Sequence, residues 1–580
     1  MRCSKWFVLA LALLLSAPSW AESYSGGSGT VDDPYLITDV NDLVTLSQQM
    51  SDWSGHFQLI NDLDLSQASD PMQPIGNEFH PFIGLFDGQG HVICHLQMNG
   101  ESYLGLFGAC GSKAIILNLG LDVVDINGTG QSMGGLVGWN DKGATIISCY
   151  STGSIGGTCY VGGLVGLNDG SITSCFCTGS VSGGDYYVGG LVGENDGSIT
   201  SSYSTSSVYG QDGIGGLVGY NDGSVTSSFW DIETSGLINS DSSMGLTTAQ
   251  MQDVVPFLDA GWDFVGQTAH GTCNYWLEQE GDYPRLAVFV GVFPHELLGS
   301  GTIDDPYLIT NIDDLGIVWS RPDASYRLES DIDLTGTTWN SSVVPGFTGN
   351  FDGNGYLIRN LHIEGGGYLG LFGTCTSEAS ISNLGLEQVD VNGLGYFVGG
   401  LVGLNDEGDI NSSTSAGSVC GDGCVGGLVG LNDHGSLNAS SSTGSVCGDR
   451  CVGGLVGMND NGAIHSSYST GSVSGDDDIG GLVGYHYFGT ITSSYSAGSV
   501  SGDNDIGGLV GYSYFGIITS SFWDIVNSGQ TESDGGIGLS TIPMQDIDTF
   551  LDAGWDFVDE TANGTQDIWW MPVSDYPRLR

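Results

Sequence analysis

The chain has 580 residues, among them 97 glycines and 67 acidic against 11 basic side chains, for a formal net charge of −56. So acidic a surface excludes nucleic acid and anionic membrane as partners and favours divalent cations. Only 13% of residues are charged while 40% are hydrophobic, which is enough to build a core and argues against a disordered acidic tail.

Residues 1–21 read as a secretory signal: Arg2 and Lys5, an apolar run from Trp6 to Leu15, and the small-residue site Ser19-x-Ala21. Cleavage near Ala21 is expected to release an exported chain, secreted or held at the cell surface. No later stretch approaches 18 uninterrupted apolar residues, so membrane insertion is not expected. Of the 13 cysteines, Cys3 falls in the leader and twelve remain, an even number that permits disulfides in an oxidising compartment.

Two similar modules follow, 22–286 and 299–580, joined by a linker over 287–298. Each opens with the same phrase, Gly29-Thr-Val-Asp-Asp-Pro-Tyr-Leu-Ile-Thr38 and Gly301-Thr-Ile-Asp-Asp-Pro-Tyr-Leu-Ile-Thr310. A short helical segment is expected next (Asn41 to Met50; Ile312 to Ser320), capping the open end, then entry rungs around Phe86-Asp-Gly88 and Phe351-Asp-Gly353. The string GGLVG then recurs with first glycines at 134, 162, 189 and 215 in module 1, and at 399, 426, 453, 480 and 507 in module 2. Steps of 28, 27 and 26, then 27 throughout, imply one structural unit per repeat stacked on the next.

Within a unit, apolar segments of three to six residues are separated by Asn-Asp-Gly and Thr-Gly turns, which suits strands and not helices. About five buried side chains contribute roughly 8–15 kcal/mol, whereas ordering 27 backbones costs at least about 27 kcal/mol. One unit cannot stand alone, and stacking three strands per turn of chain gives an all-β, right-handed parallel β-helix, or β-solenoid, with short helical caps. Each module ends in a shared tail: Phe229-Trp-Asp231 and Phe522-Trp-Asp524, then Ala260-Gly-Trp-Asp-Phe264 and Ala553-Gly-Trp-Asp-Phe557, then Tyr283-Pro-Arg-Leu286 and Tyr576-Pro-Arg-Leu579. Thr247 with Gln250 has capping-box spacing, predicting one short helix in the tail. The tail tryptophans are expected to seal the last rung, and the apolar linker to dock the modules.

The pattern GGLVG-x-N-x-G-x-I-x-x-S-[YF]-x-x-G-x-V resembles the GLUG repeat of secreted bacterial proteins. That resemblance implies an extracellular or surface location and no activity of its own. GLUG repeats also accompany immunoglobulin A peptidases with an H-E-x-x-H zinc motif, but here the nearest match, His295-Glu296-Leu297-Leu298-Gly299, ends in glycine, so the peptidase does not carry over.

Four sets of side chains are candidates for chemistry. Cys420 and Cys424 return 27 residues later as Cys447 and Cys451, and Cys149 and Cys175 are likewise in phase; stacked strands would place such pairs within disulfide range. Asn140, Asn168, Asn195 and Asn221, with Asn405, Asn432 and Asn459, should form a structural amide ladder. Asp422, Asp449, Asp476 and Asp503, with Asp478 and Asp505, put carboxylates in successive rungs, where they splay into solvent or hold calcium, the one cofactor expected. The last two rungs replace Asn-Asp by aromatics, Tyr485, Tyr487 and Phe488 above Tyr512, Tyr514 and Phe515, either a platform for sugar rings or a packing face for the tail. Catalysis finds little support: Asp87 and Asp352 sit in Asp-Gly turns that have a structural reason, and no G-x-S-x-G, H-E-x-x-H or phosphate loop appears. The leading reading is a non-catalytic adhesin or scaffold that binds extracellular glycans or other surface polymers. The alternatives are a secreted polysaccharide lyase or glycosidase on a β-helix, which would show two carboxylates in an aromatic-lined groove, and an envelope spacer. Oligomeric state and ligand identity are not readable.

Overall fold

A computed structural model describes residues 24–68, 72–292 and 295–580; the leader lies outside the described residues. Both modules are solenoids of parallel strands. In module 1, sheet A has eight strands from Tyr35–Ile37 to Ser224–Thr226, sheet B has twelve, from Leu63–Asp64 to Met244–Leu246, and sheet C has five, from Phe107–Cys110 to Val218–Asn221. Module 2 has nine, sixteen and seven. Its sheet A runs from Tyr307–Ile309 to Ile517–Thr519 and its sheet C from Val344–Phe347 to Val510–Tyr514.

The register is one unit per rung. Val192 pairs with Val165 and Val218 in sheet C, and Ile199 with Ile172 and Val225 in sheet A. Inward residues thus stack like on like: Val137, Val165, Val192 and Val218 are all fully buried. The glycine pair of GGLVG follows from close approach, since a Cβ on Gly162 would collide with the Val165 carbonyl and one on Gly163 with the Cys177 side chain.

The caps form where expected. Val40–Gln48 is an α-helix with an Asp39–Asp42 capping box, and Ile312–Gly316 begins its counterpart, capped by Asn311. The tail holds more helix than the expected single one. Ile232–Ser235, Thr248–Met251 (with the Thr247–Gln250 box) and Val255–Asp259 all form in module 1, and three counterparts form in module 2. Asp231 and Asp524 start the first helix of each set through side-chain caps, a role hidden in the Phe-Trp-Asp triplet.

The tail tryptophans divide into two groups. Trp230 and Trp523 close the end of the core. Trp262, Trp276, Trp555 and Trp569 lie along the outside of sheet B, packed on an aromatic ladder. That ladder is Tyr150, Phe176 and Tyr203 in module 1, stacked at 4.9 and 5.1 Å, and Tyr468 with Tyr495 at 5.0 Å in module 2. The Tyr-Pro-Arg-Leu endings lock this arrangement: Tyr203 donates to the Pro284 carbonyl and Tyr283 to Asp231, as Tyr495 does to Pro577 and Tyr576 to Asp524.

The modules lie side by side. Sheet A of module 1 faces the sheet C side of module 2, with Tyr368 donating to the Asp169 carbonyl at 2.8 Å and Asn340 to Ser201 Oγ at 2.9 Å. The linker is docked: Val288 and Phe289 join the cluster under the tail, Phe289 edge-on to Tyr150 at 4.8 Å. Lys113 and Lys142, the lysines of the described residues, both reach across the seam, to Glu407 at 2.6 Å and Asp433 at 3.5 Å.

Candidate functional site

The asparagine ladder forms as a buried amide chain. Asn140 donates to Asn168 at 2.8 Å, Asn168 to Asn195 at 2.7 Å and Asn195 to Asn221 at 2.6 Å; Asn405, Asn432 and Asn459 are linked at 2.8 and 2.7 Å. Module 2 continues it with His486, whose Nδ1 lies 3.1 Å from the Asn459 amide nitrogen and whose imidazole burial pulls down to a pKa of about 4. Sequence reasoning missed this histidine because it breaks the Asn consensus, although its phase, 27 residues after Asn459, was the available signal.

One disulfide pairing stands and two do not. Cys420 and Cys447 are bonded across adjacent rungs, with Cα atoms 4.6 Å apart. Cys424, Cys451, Cys149 and Cys175 are thiols. Cys149 and Cys175 belong to a different ladder: each precedes the sheet B aromatic, and the backbone N–H of one rung donates to the side chain of the next. Thus Cys149 N–H donates to Cys175 Sγ, Cys175 N–H to Ser202 Oγ and Ser202 N–H to Ser228 Oγ. Sulfur here replaces a serine oxygen as acceptor. Cys424 and Cys451 differ in backbone: Cys451 has φ +46° within a strand, whereas Cys424 lies in a bend and has no left-handed φ. Their thiols remain in contact, which raises the Cys451 pKa.

The aspartates are placed unevenly. Asp422 and Asp503 are exposed in bends, and Asp449 and Asp476 are exposed within strands. The carboxylates that converge are Asp477, Asp478 and Asp505, with ligand atoms within 4.8 Å of one another. Burial, then the charges of Asp477 and Asp505, push Asp478 up to about 6.

The aromatics of the last two rungs form three parallel rows on the sheet C side of module 2. Tyr485 stacks on Tyr512, Tyr487 on Tyr514 and Phe488 on Phe515, each pair with centroids 5.5 Å apart and planes within 14°. With ring contact at about 3.6 Å, that separation offsets each pair by roughly 4 Å and leaves part of each face open. The tail packs elsewhere, on sheet B, so the rows stay exposed, Phe515 by 70%. Phe488 and Phe515 also have left-handed backbones, φ +50° and +55°, at a corner filled by His434 and Asn461 in the rungs before. Such a conformation costs a non-glycine residue roughly 1–2 kcal/mol.

The same outward column runs through Thr374, Leu404, Leu431, Met458, Tyr485 and Tyr512. Leu404 and Leu431 are buried in a cluster with Tyr368, Leu404 beside Gly143 of module 1, whereas Tyr512, two rungs beyond Met458, is 36% exposed. The aromatic rows begin where the cover ends.

The GLUG motif matches residues 129–156, 184–209 and 448–474. Halomucin of Haloquadratum walsbyi is 32% identical over 155 residues, 25% of this chain and 2% of that protein. A protein of Evansella cellulosilytica named as a Gly-rich membrane protein is 34% identical over 125 residues, 20% of this chain and 14% of that one. The chain therefore spans only a small part of the relatives it matches. Among solved structures, a Bacteroides ovatus protein assigned as an immunoglobulin A1 protease aligns over 49% of this chain and 94% of its own, at 17% identity and a TM-score of 0.37. An IgA1 protease aligns over 37% of this chain and 19% of its own, also at 17% identity, with a TM-score of 0.29. By its matched segments and the in-register recurrence of their pattern, the chain carries GLUG repeats within a tandem β-solenoid.

Proposed function

We propose that this chain is an exported, non-catalytic repeat protein that binds extended glycans along the aromatic rows at the free end of module 2. The observation that carries the reading is the pair Phe488 and Phe515, exposed by 47% and 70% in a left-handed conformation that disfavours bulky side chains. Neither core packing nor local preference accounts for them, whereas a ligand that stacks on them does. Offset rings on successive rungs present a stepped apolar surface, and hydroxyl partners are near in Asp460, bridged to Phe488, and Asp478, whose charge acts on Tyr485. Surface location is supported by the names of the relatives, a halomucin and a membrane protein, and by the leader-like residues 1–21. Calcium belongs to this proposal at Asp477, Asp478 and Asp505, beside the rows.

The test is a glycan array with the wild-type chain and the Tyr512→Ala, Phe515→Ala double variant, each with and without calcium. At about 0.5–1.5 kcal/mol per ring, the variant should lose roughly fivefold or more in affinity for whatever binds. Uniform absence of binding by the wild type would sink the reading and put the envelope spacer first.

A further inference from the structure

The seam between the modules encloses a cleft that the repeat pattern does not announce. Two adjoining cavities, of about 640 and 370 Å³, share Asp87, Gln89, Tyr307, Ser320 and Arg321. The larger falls within the range of small-molecule sites, about 300–1,000 Å³. Module 1 supplies one wall, the Asp87-Gly-Gln89 turn and Asn118 one rung on. Module 2 supplies the other from its capping segment, Tyr307, Trp319, Arg321 and Tyr326.

The groups at the junction have unspent capacity. Asp87 accepts from the Gln89 backbone at 2.9 Å, from the Gln89 side chain and from Asn118 Nδ2 at 3.2 Å. Burial pushes its carboxyl up to about 6. Asn118 is 94% buried in the wall, and its Oδ1 has no hydrogen-bond partner. Arg321 lies over the Tyr307 ring at 5.3 Å and donates to its hydroxyl, leaving further N–H groups of an exposed guanidinium. Module 2 repeats the turn as Asp352, Asn354 and Asn383, with Asn383 donating to Asp352 at 3.0 Å, in the open. The turn itself accounts for the Asp-Asn contact. What distinguishes module 1 is the roof of aromatics and guanidinium placed over it.

We propose that this inter-module cleft is a binding site for the end of a neutral saccharide. Acidic groups on its walls, Asp87, Asp323 and Glu296, and the net charge of −56 oppose an anion. The Arg321 guanidinium opposes an amine. A hydroxyl-rich neutral ligand satisfies both: its O–H groups donate to the carboxyl and amide oxygens and accept from the guanidinium, while its C–H faces meet Tyr307 and Trp319. This site is independent of the aromatic rows, so either can fail alone.

The experiment is calorimetric titration of the full chain with cellotriose, maltotriose, laminaritriose and chitotriose. At least one should bind with unit stoichiometry. Arg321→Ala and Asp87→Asn should each weaken that binding at least tenfold, while Tyr512→Ala with Phe515→Ala changes it less than twofold. Should Asp87→Asn fail to fold, Arg321→Ala, at an exposed position, decides the matter. No binding by any of the four at millimolar concentration overturns the proposal. So does binding that survives Arg321→Ala and disappears in the aromatic-row variant.

Discussion

The same sheet meets opposite surroundings in the two modules. Sheet A of module 1 is covered on its outer face, and Ile115, Leu117 and Ile147, which point outward, are at most 1% exposed. Sheet A of module 2 carries Ser380, Ser382 and Asn411 at the matching positions, all half-exposed. Inward positions are unchanged, Ile116 and Ile146 answering to Ile381 and Ile410. The solenoid therefore fixes the inside of a rung, and the outside is free to diverge according to what lies against it. Charge follows the same division. Glu378 and Glu407 stand 265 residues after Lys113 and Lys142, so module 2 bears acids where module 1 bears the seam lysines. His56 adds a third basic contact from module 1, 3.2 Å from Asp323. A second module 2 face could not dock as module 1 does, because it would set acid against acid.

The largest effect should come from making module 1 resemble module 2 at this point. Lys113→Ala with Lys142→Ala removes two part-exposed pairs, a loss of about 1 kcal/mol. Lys113→Glu with Lys142→Glu replaces attraction by repulsion, about 4 kcal/mol for like charges near 4 Å at an effective dielectric of 20. The double reversal should open the seam, read as faster hydrogen exchange at 171–173 and 198–200 and as a larger radius of gyration in solution scattering. Glu407→Lys with Asp433→Lys in that background should close it again. An unchanged exchange pattern in the double reversal would show that apolar contacts alone hold the modules together.

A second contrast concerns protons buried near the seam. Asp263, in the tail of module 1, accepts from the Cys273 and Asn274 backbones at 2.6 and 3.1 Å, leaves Oδ1 unpartnered, and is pushed up to about 7 by burial. Its folded pKa thus exceeds the unfolded value of about 3.9, so between those limits the native state keeps a proton that the unfolded chain has lost. Stability from this group is present at low pH and falls as pH rises through 7. Asp87, at about 6, acts in the same direction. The size of the Asp263 shift caps its effect at about 4 kcal/mol, and about 2 kcal/mol is expected once the interior relaxes. The chain should melt higher at pH 5.5 than at pH 8, and Asp263→Asn should raise the pH 8 midpoint and flatten the difference. A midpoint that climbs with pH would contradict the burial of both groups.

How much of this was readable in advance depends on the range of the interaction. Stacking at a fixed period is local in the solenoid, so the fold, the Asn140-to-Asn221 ladder, the Cys420–Cys447 bond and the paired aromatic rows all followed from residues 26–28 apart. The seam joins residues from 139 apart (Asn340 with Ser201) to 294 apart (Lys113 with Glu407), and no periodicity reports that. The scarcity of lysine was the usable signal, since two isolated cations in so acidic a chain need partners. The thiol pairs went wrong for a different reason. Phase gives rung and height but not what a side chain bonds: Cys149 and Cys175 are taken up in the N–H-to-side-chain ladder, and Cys451 is left-handed within its strand where Cys424 is not.

The corners where sheet B leads into sheet C at the ends of the two modules have also exchanged chemistry, and this sets the smallest predicted effect. Relative to the last two GGLVG strings, module 1 places Tyr186, Tyr187 and Gly213 where module 2 places Asp477, Asp478 and Asp505. In the rung above, module 1 has Glu194, pushed up to about 7 by burial and its acidic neighbours, where module 2 has Tyr485. Calcium should therefore act at module 2, by relieving a repulsion that only the folded stack creates. With millimolar affinity and a tenfold excess of calcium, the gain is about 1.4 kcal/mol. Because Asp478 holds its proton up to about pH 6, protons compete with the cation, and the response should be full at pH 7.5 and about halved at pH 5.5. The measurement is the melting midpoint of the full chain in calcium against sodium at constant ionic strength. Asp478→Asn should raise the midpoint without calcium, since it removes one member of the repelling set, and abolish the calcium response. Glu194→Gln should leave that response intact. If Asp478→Asn responds to calcium as the wild type does, the three carboxylates are a solvated edge, and the cation acts elsewhere on the acidic surface.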